Sequence, residues 1–206
     1  MDRIKKNMML LLMIVAATPQ AYGGTAGENA GTSELTATIT GGGTCTVNIN
    51  GVDQGRAVVA VGTGMLETTD ALRQSWPQLG KTNFTVDLTN CKGLSDMALS
   101  PAITVSGALM SAGNARLFRD AANSSSQGFG IALYSDQATN AGTPPQVQNA
   151  VPVSVATAGS VFNADQTLNW AAAVSCGDAV SCTPSTSNLL NGGNLWASLT
   201  FTFSYQ

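Results

Sequence analysis

The sequence predicts an all-β fold, an antiparallel sandwich or barrel built from short strands. Apolar and polar residues alternate with a period of two in several short segments, and Gly, Asn, Ser and Pro separate these segments. Such alternation buries one side of each strand and exposes the other. Charged residues make up only 10% of the chain, and we find no convincing helical periodicity. Seven or so strands favour a single sandwich or barrel.

The clearest strand is the C-terminal segment, where apolar residues occupy every second position from Leu195 to Tyr205. Polar residues fill the positions between them, and Trp196 is the one exception on that polar side. We find no internal repeat and no linker that would divide the chain. The alternating apolar residues of the predicted strands are Leu35, Ala37 and Ile39; Phe84, Val86 and Leu88; Ile103 and Val105; Phe129, Ile131 and Leu133; Val151, Val153 and Val155; Leu168, Trp170, Ala172 and Val174; and Leu195, Ala197, Leu199, Phe201, Phe203 and Tyr205.

The N-terminal segment has the features of a secretory signal peptide. Bases at positions 3, 5 and 6 precede an apolar run at 8–17, and Ala21 and Gly23 form a small-residue site before Gly24. The apolar run is too short to cross a bilayer as a helix, and the three features together are typical of export. We therefore expect residues 1–23 to be removed, with the remaining chain folding as one domain outside the cytoplasm.

The charge of the exported chain excludes two classes of partner. Cleavage removes three of the nine bases and one of the twelve acids, which leaves six and eleven and a net charge of −5. Nucleic acid and anionic lipid are not attracted to such a chain, and we expect neither as a partner. After residue 23 no apolar stretch approaches the length of a membrane helix.

Four cysteines suit an oxidising compartment, where disulfides persist. They allow two bridges in three connectivities, of which we favour Cys45–Cys91 and Cys176–Cys182. The second pair encloses Gly-Asp-Ala-Val-Ser, a polar turn that a short bridge can close. The first would tie two distant strands together and restrict the unfolded chain. A metal site is disfavoured because the chain has no histidine and no C-x-x-C pair, and no cofactor is expected.

Catalysis is not expected from this sequence. Without histidine there is no Ser–His or Cys–His nucleophile pair and no histidine general base. Two carboxylates suffice for glycoside hydrolysis, but Asp87, Asp120, Asp136 and Asp165 are scattered along the chain. Neither a G-x-S-x-G motif nor a phosphate-binding loop is present.

Three local patterns together resemble the chaperone–usher pilin family of fimbrial subunits. The first is ATITGGGTCTV at 37–47, an early strand that leads into a cysteine. The second is FTVDLTNC at 84–91, which is similar to the family's second strand. The third is the C-terminal strand, in which Tyr205 is penultimate and Gly193 is fourteenth from the end. The resemblance extends over residues 37–206.

This resemblance implies an incomplete immunoglobulin-like β-sandwich over residues 37–206, lacking its final strand, with a disulfide between Cys45 and Cys91. A groove beside the C-terminal strand would then expose core side chains and unpaired backbone until a donor strand fills it. The implied partners are a periplasmic pilus chaperone, an outer-membrane usher and other pilus subunits, and the implied location is a fimbrium on the cell surface. The expected groove residues are Gly193, Leu195, Ala197, Leu199, Phe201, Phe203 and Tyr205.

The donor strand is expected in an N-terminal extension, residues 24–36, where the sequence is ambiguous. Residues 24–33 offer mainly small side chains. Leu35, Ala37 and Ile39 have the alternation of a donor strand, but they lie close to Cys45 and also suit the first strand of the domain. Both interpretations stay open, as does a specialised minor role in the fibre.

The predicted function is therefore a structural pilus subunit that polymerises by donor-strand exchange for surface adhesion. The alternative is a secreted adhesin or carbohydrate-binding module with a complete sandwich, in which Trp76, Trp170 or Trp196 would offer stacking faces. A pilus subunit that also binds a host receptor stays open. A small outer-membrane barrel is disfavoured, because aromatic residues are only 6% of the chain and such barrels need aromatic girdles.

Overall fold

The computed structural model describes residues 33–40, 45–53, 56–61, 74–91, 99–136, 138, 145–159, 164–185 and 189–206. This part of the chain forms two five-stranded sheets, so the predicted all-β fold is confirmed. The predicted signal peptide and residues 24–32 of the predicted extension lie outside the described residues. Within the described ranges, no helix has the length and apolar character needed to cross a membrane.

The two sheets contain strands from all parts of the described chain. Every pairing between named strands is antiparallel except that of β1 with β10, which is parallel. Sheet 1 has the spatial order β4 (Arg56–Val61), β1 (Ser33–Thr40), β10 (Leu195–Tyr205), β6 (Pro101–Gly107) and β8 (Pro152–Ser154). Sheet 2 has the order β3 (Val52–Asp53), β2 (Thr46–Ile49), β5 (Leu79–Thr89), β9 (Gln166–Ser175) and β7 (Gly130–Ser135).

Alternating apolar side chains from both sheets form the core. On β10, the odd-numbered residues from Leu195 to Phe203 are at most 1% exposed, as the sequence predicts. Three aromatic rings join the sheets: Phe201 of β10 packs against Trp170 of β9 and Phe84 of β5, at centroid distances of 5.7 and 6.5 Å. Full burial of such side chains stabilises the fold by about 1.5–3 kcal/mol each.

Strand β7 is buried at every position, whereas the sequence predicts alternation over Phe129, Ile131 and Leu133. The reason is that the outer face of sheet 2 is also covered at β7 and β9. A second buried cluster lies there, and Trp76 and Met110 pack against it. Its members are Leu117, Ala132, Tyr134, Ala171 and Ala173.

Both predicted disulfides are confirmed. Cys45–Cys91 joins the residue before β2 to the chain just after β5. Cys176–Cys182 closes the turn after β9. In that turn, Asp178 accepts a hydrogen bond from the backbone N–H of Ser181 at 2.7 Å. This hydrogen bonding to Ser181 lowers the pKa of the Asp178 carboxyl below its usual value.

Candidate functional site

The candidate site is the strand position between β4 and β10; the family resemblance implies an open groove beside β10. In this structure β1 of the same chain occupies that position. It runs parallel to β10 and antiparallel to β4, so that Leu35 lies opposite Ala197 on one side and Val59 on the other. Sheet 1 is thereby continuous from β4 to β8.

The inner side of β1 carries two of the three predicted donor residues, Leu35 and Ala37. The side chains of Leu35 and Ala37 are completely buried and belong to the main core. The backbone of Ile39 lies opposite Phe201 of β10, whereas its side chain lies outside the described part. The structure therefore places Leu35 and Ala37 against the C-terminal strand.

One wall of the position is β10, which carries six of the seven predicted groove residues on its inner side. The side chains from Leu195 to Phe203 at odd positions are buried, whereas Tyr205 is half-buried. The rings of Phe203 and Tyr205 meet edge to face with their centroids 5.5 Å apart. The C-terminal part of β10 also pairs with β6, from Leu199 to Tyr205.

The other wall is β4, a strand that the alternation of apolar and polar residues does not predict. Ala57, Val59 and Val61 are buried, while Arg56 and Val58 on the alternate side are exposed. Because Val58 and Ala60 are apolar as well, the segment RAVVAV shows little contrast between its two sides. Its richness in valine and its flanking glycines at 55 and 62 were the available signal for a strand.

Gly193, predicted to belong to the groove, shapes the entry to β10. Its φ is +146°, and a Cβ added there would lie 2.7 Å from Ser125 Oγ and 2.9 Å from the backbone nitrogen of Ser126. Only glycine combines this backbone conformation with so close an approach. The segment containing Ser125 and Ser126 in turn donates two backbone hydrogen bonds to the carbonyl of Asn194.

The connection of β1 to the rest of the domain is short. Residues 41–44, Gly-Gly-Gly-Thr, join it to Cys45. Removal of β1 would leave the edges of β4 and β10 unpaired and uncover the core beneath Leu35 and Ala37. Exposed edges and apolar surface of this kind promote association with another strand.

No group of three or more His, Cys, Asp or Glu side chains in the described ranges is placed to hold a metal ion. A polar surface cleft lies on the outer side of sheet 1, where Trp196 of β10 is half-buried. Trp170, by contrast, is a core residue at 2% exposure. Trp76 is half-buried beside Arg116, whose guanidinium carbon lies 5.7 Å from its ring centroid.

Two solved structures are similar to this one. The P pilus rod subunit PapA has a TM-score of 0.49 and 15% sequence identity, over 79% of this chain and 99% of that chain. A Burkholderia pseudomallei antigen and type I fimbria protein has a TM-score of 0.39 and 17% identity, over 83% of this chain and 92% of that chain. Neither a protein-family model nor a curated protein matches the chain.

Proposed function

We propose that the chain is a structural subunit of a chaperone–usher pilus and that the strand between β4 and β10 is exchanged between subunits. The observation that carries the proposal is the position of β1. This strand pairs with both neighbours and buries Leu35 and Ala37, yet only residues 41–44 join it to the domain that it completes. The strand that fills the groove thus comes from the N-terminal side, where a donor strand is expected.

The physical basis of exchange is that the position recognises a pattern rather than a particular chain. It needs backbone partners on both edges and apolar side chains at alternate positions. Residues 33–40 of a second copy carry the same sequence, so they meet the same requirements. In a free subunit, β1 of the same chain occupies the position. In a fibre, β1 of a neighbouring subunit replaces it.

The proposal includes the partners and location that the sequence predicts. A periplasmic chaperone would supply a strand before assembly, an outer-membrane usher would receive the subunit, and other subunits would extend the fibre at the cell surface. The predicted alternation of Leu35 and Ala37 serves as the donor pattern. No catalytic activity is part of the proposed function.

Exchange can be tested on the chain without residues 1–23 through the variant Leu35→Ala. Loss of this buried side chain weakens the binding of the chain's own β1 between β4 and β10 by about 2–5 kcal/mol. A labelled peptide of residues 24–40 that retains Leu35 then competes with it, even though a tethered segment has an effective concentration of about 1 mM. Glu34→Ala, on the outer side of the same strand, is the matched control variant.

We expect native mass spectrometry to show one peptide bound to Leu35→Ala at about 100 µM peptide, and much less bound to Glu34→Ala. A peptide in which Leu35 is replaced by Asp should not bind. If Leu35→Ala is as stable as the parent chain and takes up no peptide, the position between β4 and β10 does not exchange its strand.

Assembly is measured on the unmodified chain by mass photometry over a range of concentrations. We expect linear multimers whose formation is suppressed by excess 24–40 peptide, because the peptide occupies the same position. A chain that stays monomeric at all concentrations, and after mild denaturant is added and removed, would contradict polymerisation by strand exchange.

A further inference from the structure

A cleft of about 280 Å³ opens on the outer side of sheet 1, away from the core. Its lining combines an aromatic ring with a cation, an anion, an amide and a hydroxyl. The members come from two strands and one loop: Arg56 of β4, Trp196 and Ser198 of β10, and Asp120 and Asn123.

Trp196 is the unusual member, because it is an aromatic residue on the polar side of its strand. Its neighbours Leu195 and Ala197 point into the core, while the indole remains half-buried on the outer side. Apolar burial in the core therefore does not account for a tryptophan at this position. Its volume contributes to the cleft instead.

The backbone of Trp196 is held by the loop that carries Asp120 and Asn123. Its N–H donates to Ser124 Oγ at 3.0 Å, and its carbonyl accepts from the N–H of Asp120 at 2.7 Å. In this half of β10 the loop takes the place beside the strand that β6 takes from Leu199 onward. These contacts hold the backbone of Trp196 beside that of Asp120, and both residues line the cleft.

The loop itself is held in shape by its own polar groups. Asp120 Oδ1 accepts from the N–H of Ala122 at 3.1 Å, and Oδ2 accepts from Asn123 Nδ2 at 2.6 Å. Arg119 donates to the carbonyls of Ser124, at 3.4 Å, and Ser126. A loop that is ordered before binding loses less conformational entropy when a ligand arrives.

The opposite wall is held across β1. Arg56 donates from Nη2 to the hydroxyl of Thr36 at 3.1 Å, and Thr36 is 4% exposed. A guanidinium has five N–H donors, so most of its capacity remains for a ligand. Asp120 likewise has a second lone pair on each oxygen, and Asn123 has a second N–H and a side-chain carbonyl.

We propose that this cleft binds a single unit of an uncharged saccharide, a hexose or an N-acetylhexosamine. A pyranose ring has an apolar C–H face that packs on an indole and hydroxyls that pair with carboxylate, amide and guanidinium groups. Arg56 and Asp120 supply one charge of each sign, which favours a neutral ligand over a strongly anionic one. The small volume suits a monosaccharide better than a peptide.

The site is distinct from the strand position of the proposed function, although one wall touches β1. Saccharide binding is a property of the folded monomer as it stands, with its own β1 in place. A single cleft of this size gives weak binding, which repeated copies along a fibre would strengthen through multivalency.

The test uses the chain without residues 1–23, immobilised at high density on beads for a glycan array and free in solution for saturation-transfer NMR. The probes in solution are free hexoses and N-acetylhexosamines at about 10 mM, a range suited to weak sites. We expect binding of a subset of these sugars. Trp196→Ala should weaken it at least about tenfold and Asn123→Ala at least about threefold, while Trp196→Phe retains it within about threefold.

Trp76→Ala, which removes a half-buried tryptophan outside the cleft, is the matched control and should leave binding unchanged. Unfolding midpoints establish that each variant is folded. If Trp196→Ala does not fold, sugar binding by Asn123→Ala decides the outcome, because Asn123 is exposed and its replacement should not disturb the fold. Absence of any sugar signal, or sugar signals that Asn123→Ala and Trp196→Ala leave unchanged, would overturn the proposal. Peptide uptake by Leu35→Ala is scored separately, so failure of strand exchange and failure of saccharide binding are distinguishable.

Discussion

Trp170 and Phe201 pack against each other across the two sheets, with ring centroids 5.7 Å apart and planes inclined at 50°. Phe201 lies on β10, opposite the backbone of Ile39 on β1. The central aromatic contact of the core is therefore also part of the wall beside which β1 lies. Stability of the domain and the packing of β1 beside β10 depend on the same side chains.

Replacement of Phe201 by alanine should lower the free energy of unfolding by about 3–5 kcal/mol, because it leaves a cavity against Trp170 and Phe84. Urea titration followed by circular dichroism measures this loss. Ser198→Ala on the exposed side of the same strand should change the free energy by less than about 0.5 kcal/mol. A loss below about 1 kcal/mol for Phe201→Ala would show that the three-ring contact is not central to the core.

The two disulfides should differ in their effect on stability according to the loops they close. Sequence separations are 46 for Cys45–Cys91 and 6 for Cys176–Cys182. On the chain-entropy model, replacing the first pair by serine should cost about 4 kcal/mol and replacing the second about 2 kcal/mol. Thermal unfolding of the two double variants gives the comparison. Equal losses would mean that entropy of the unfolded chain does not dominate.

Gly193→Ala should destabilise the domain by about 1–3 kcal/mol, because alanine is strained at this φ and its Cβ would clash with Ser125 and Ser126. Two other glycines separate these causes. Gly51→Ala, at φ +73° with nothing within 4 Å of the added Cβ, reports backbone strain alone. Gly113→Ala has an equally open environment and no positive φ, and should be neutral. Denaturant unfolding should rank the losses as Gly193, Gly51 and Gly113, and any other order contradicts the packing argument.

The buried phenol of Tyr134 should make the fold sensitive to alkaline pH. Desolvation by burial raises its pKa from the ordinary value of 10.0 to about 12. The unfolded chain therefore releases this proton at lower pH than the folded chain, so the stability contribution is complete below pH 10 and is lost as pH rises through about 12. Urea titrations from pH 8 to pH 11.5 measure the slope.

Tyr134→Phe is the matched variant for this measurement. Its loss of stability over the same pH range should be smaller than that of the parent chain. At neutral pH the substitution should be close to neutral, because Tyr134 Oη has no hydrogen-bond partner in the described part of the chain. Identical slopes for the two proteins would show that another group causes the alkaline effect.

The sequence predicts those strands well in which polar and apolar residues contrast. β5 and β10 carry Thr, Asp or Ser between buried apolar side chains, and both are found where alternation indicates them. Alternation does not predict β4, because valine and alanine occur on its exposed side too. The hairpin from β2 to β3 is also absent from the predicted strands. Its Asn50–Gly51 dipeptide, with φ of 51° and 73°, forms a typical two-residue turn.

The site could be predicted only in part, because strand pairing is a non-local property. Alternation identifies Leu35 and Ala37 as members of a strand, but it does not indicate which strands lie beside them. The parallel pairing of β1 with β10 joins segments from opposite ends of the described chain. The outer cleft cannot be predicted from the sequence either, because Arg56, Asp120 and Trp196 are far apart along the chain. The position of Trp196 on a polar side was its one sequence signal.

The parallel direction of β1 and β10 has a mechanical consequence. Ser33 lies opposite Leu195 at one end of the ladder, and Thr40 lies opposite Thr202 at the other. Tension applied between the N-terminal side of β1 and the C-terminal end of β10 pulls the two strands along their axes in opposite directions. Because this force acts along the strands and not across them, it loads the hydrogen bonds of the ladder together and does not open them one at a time.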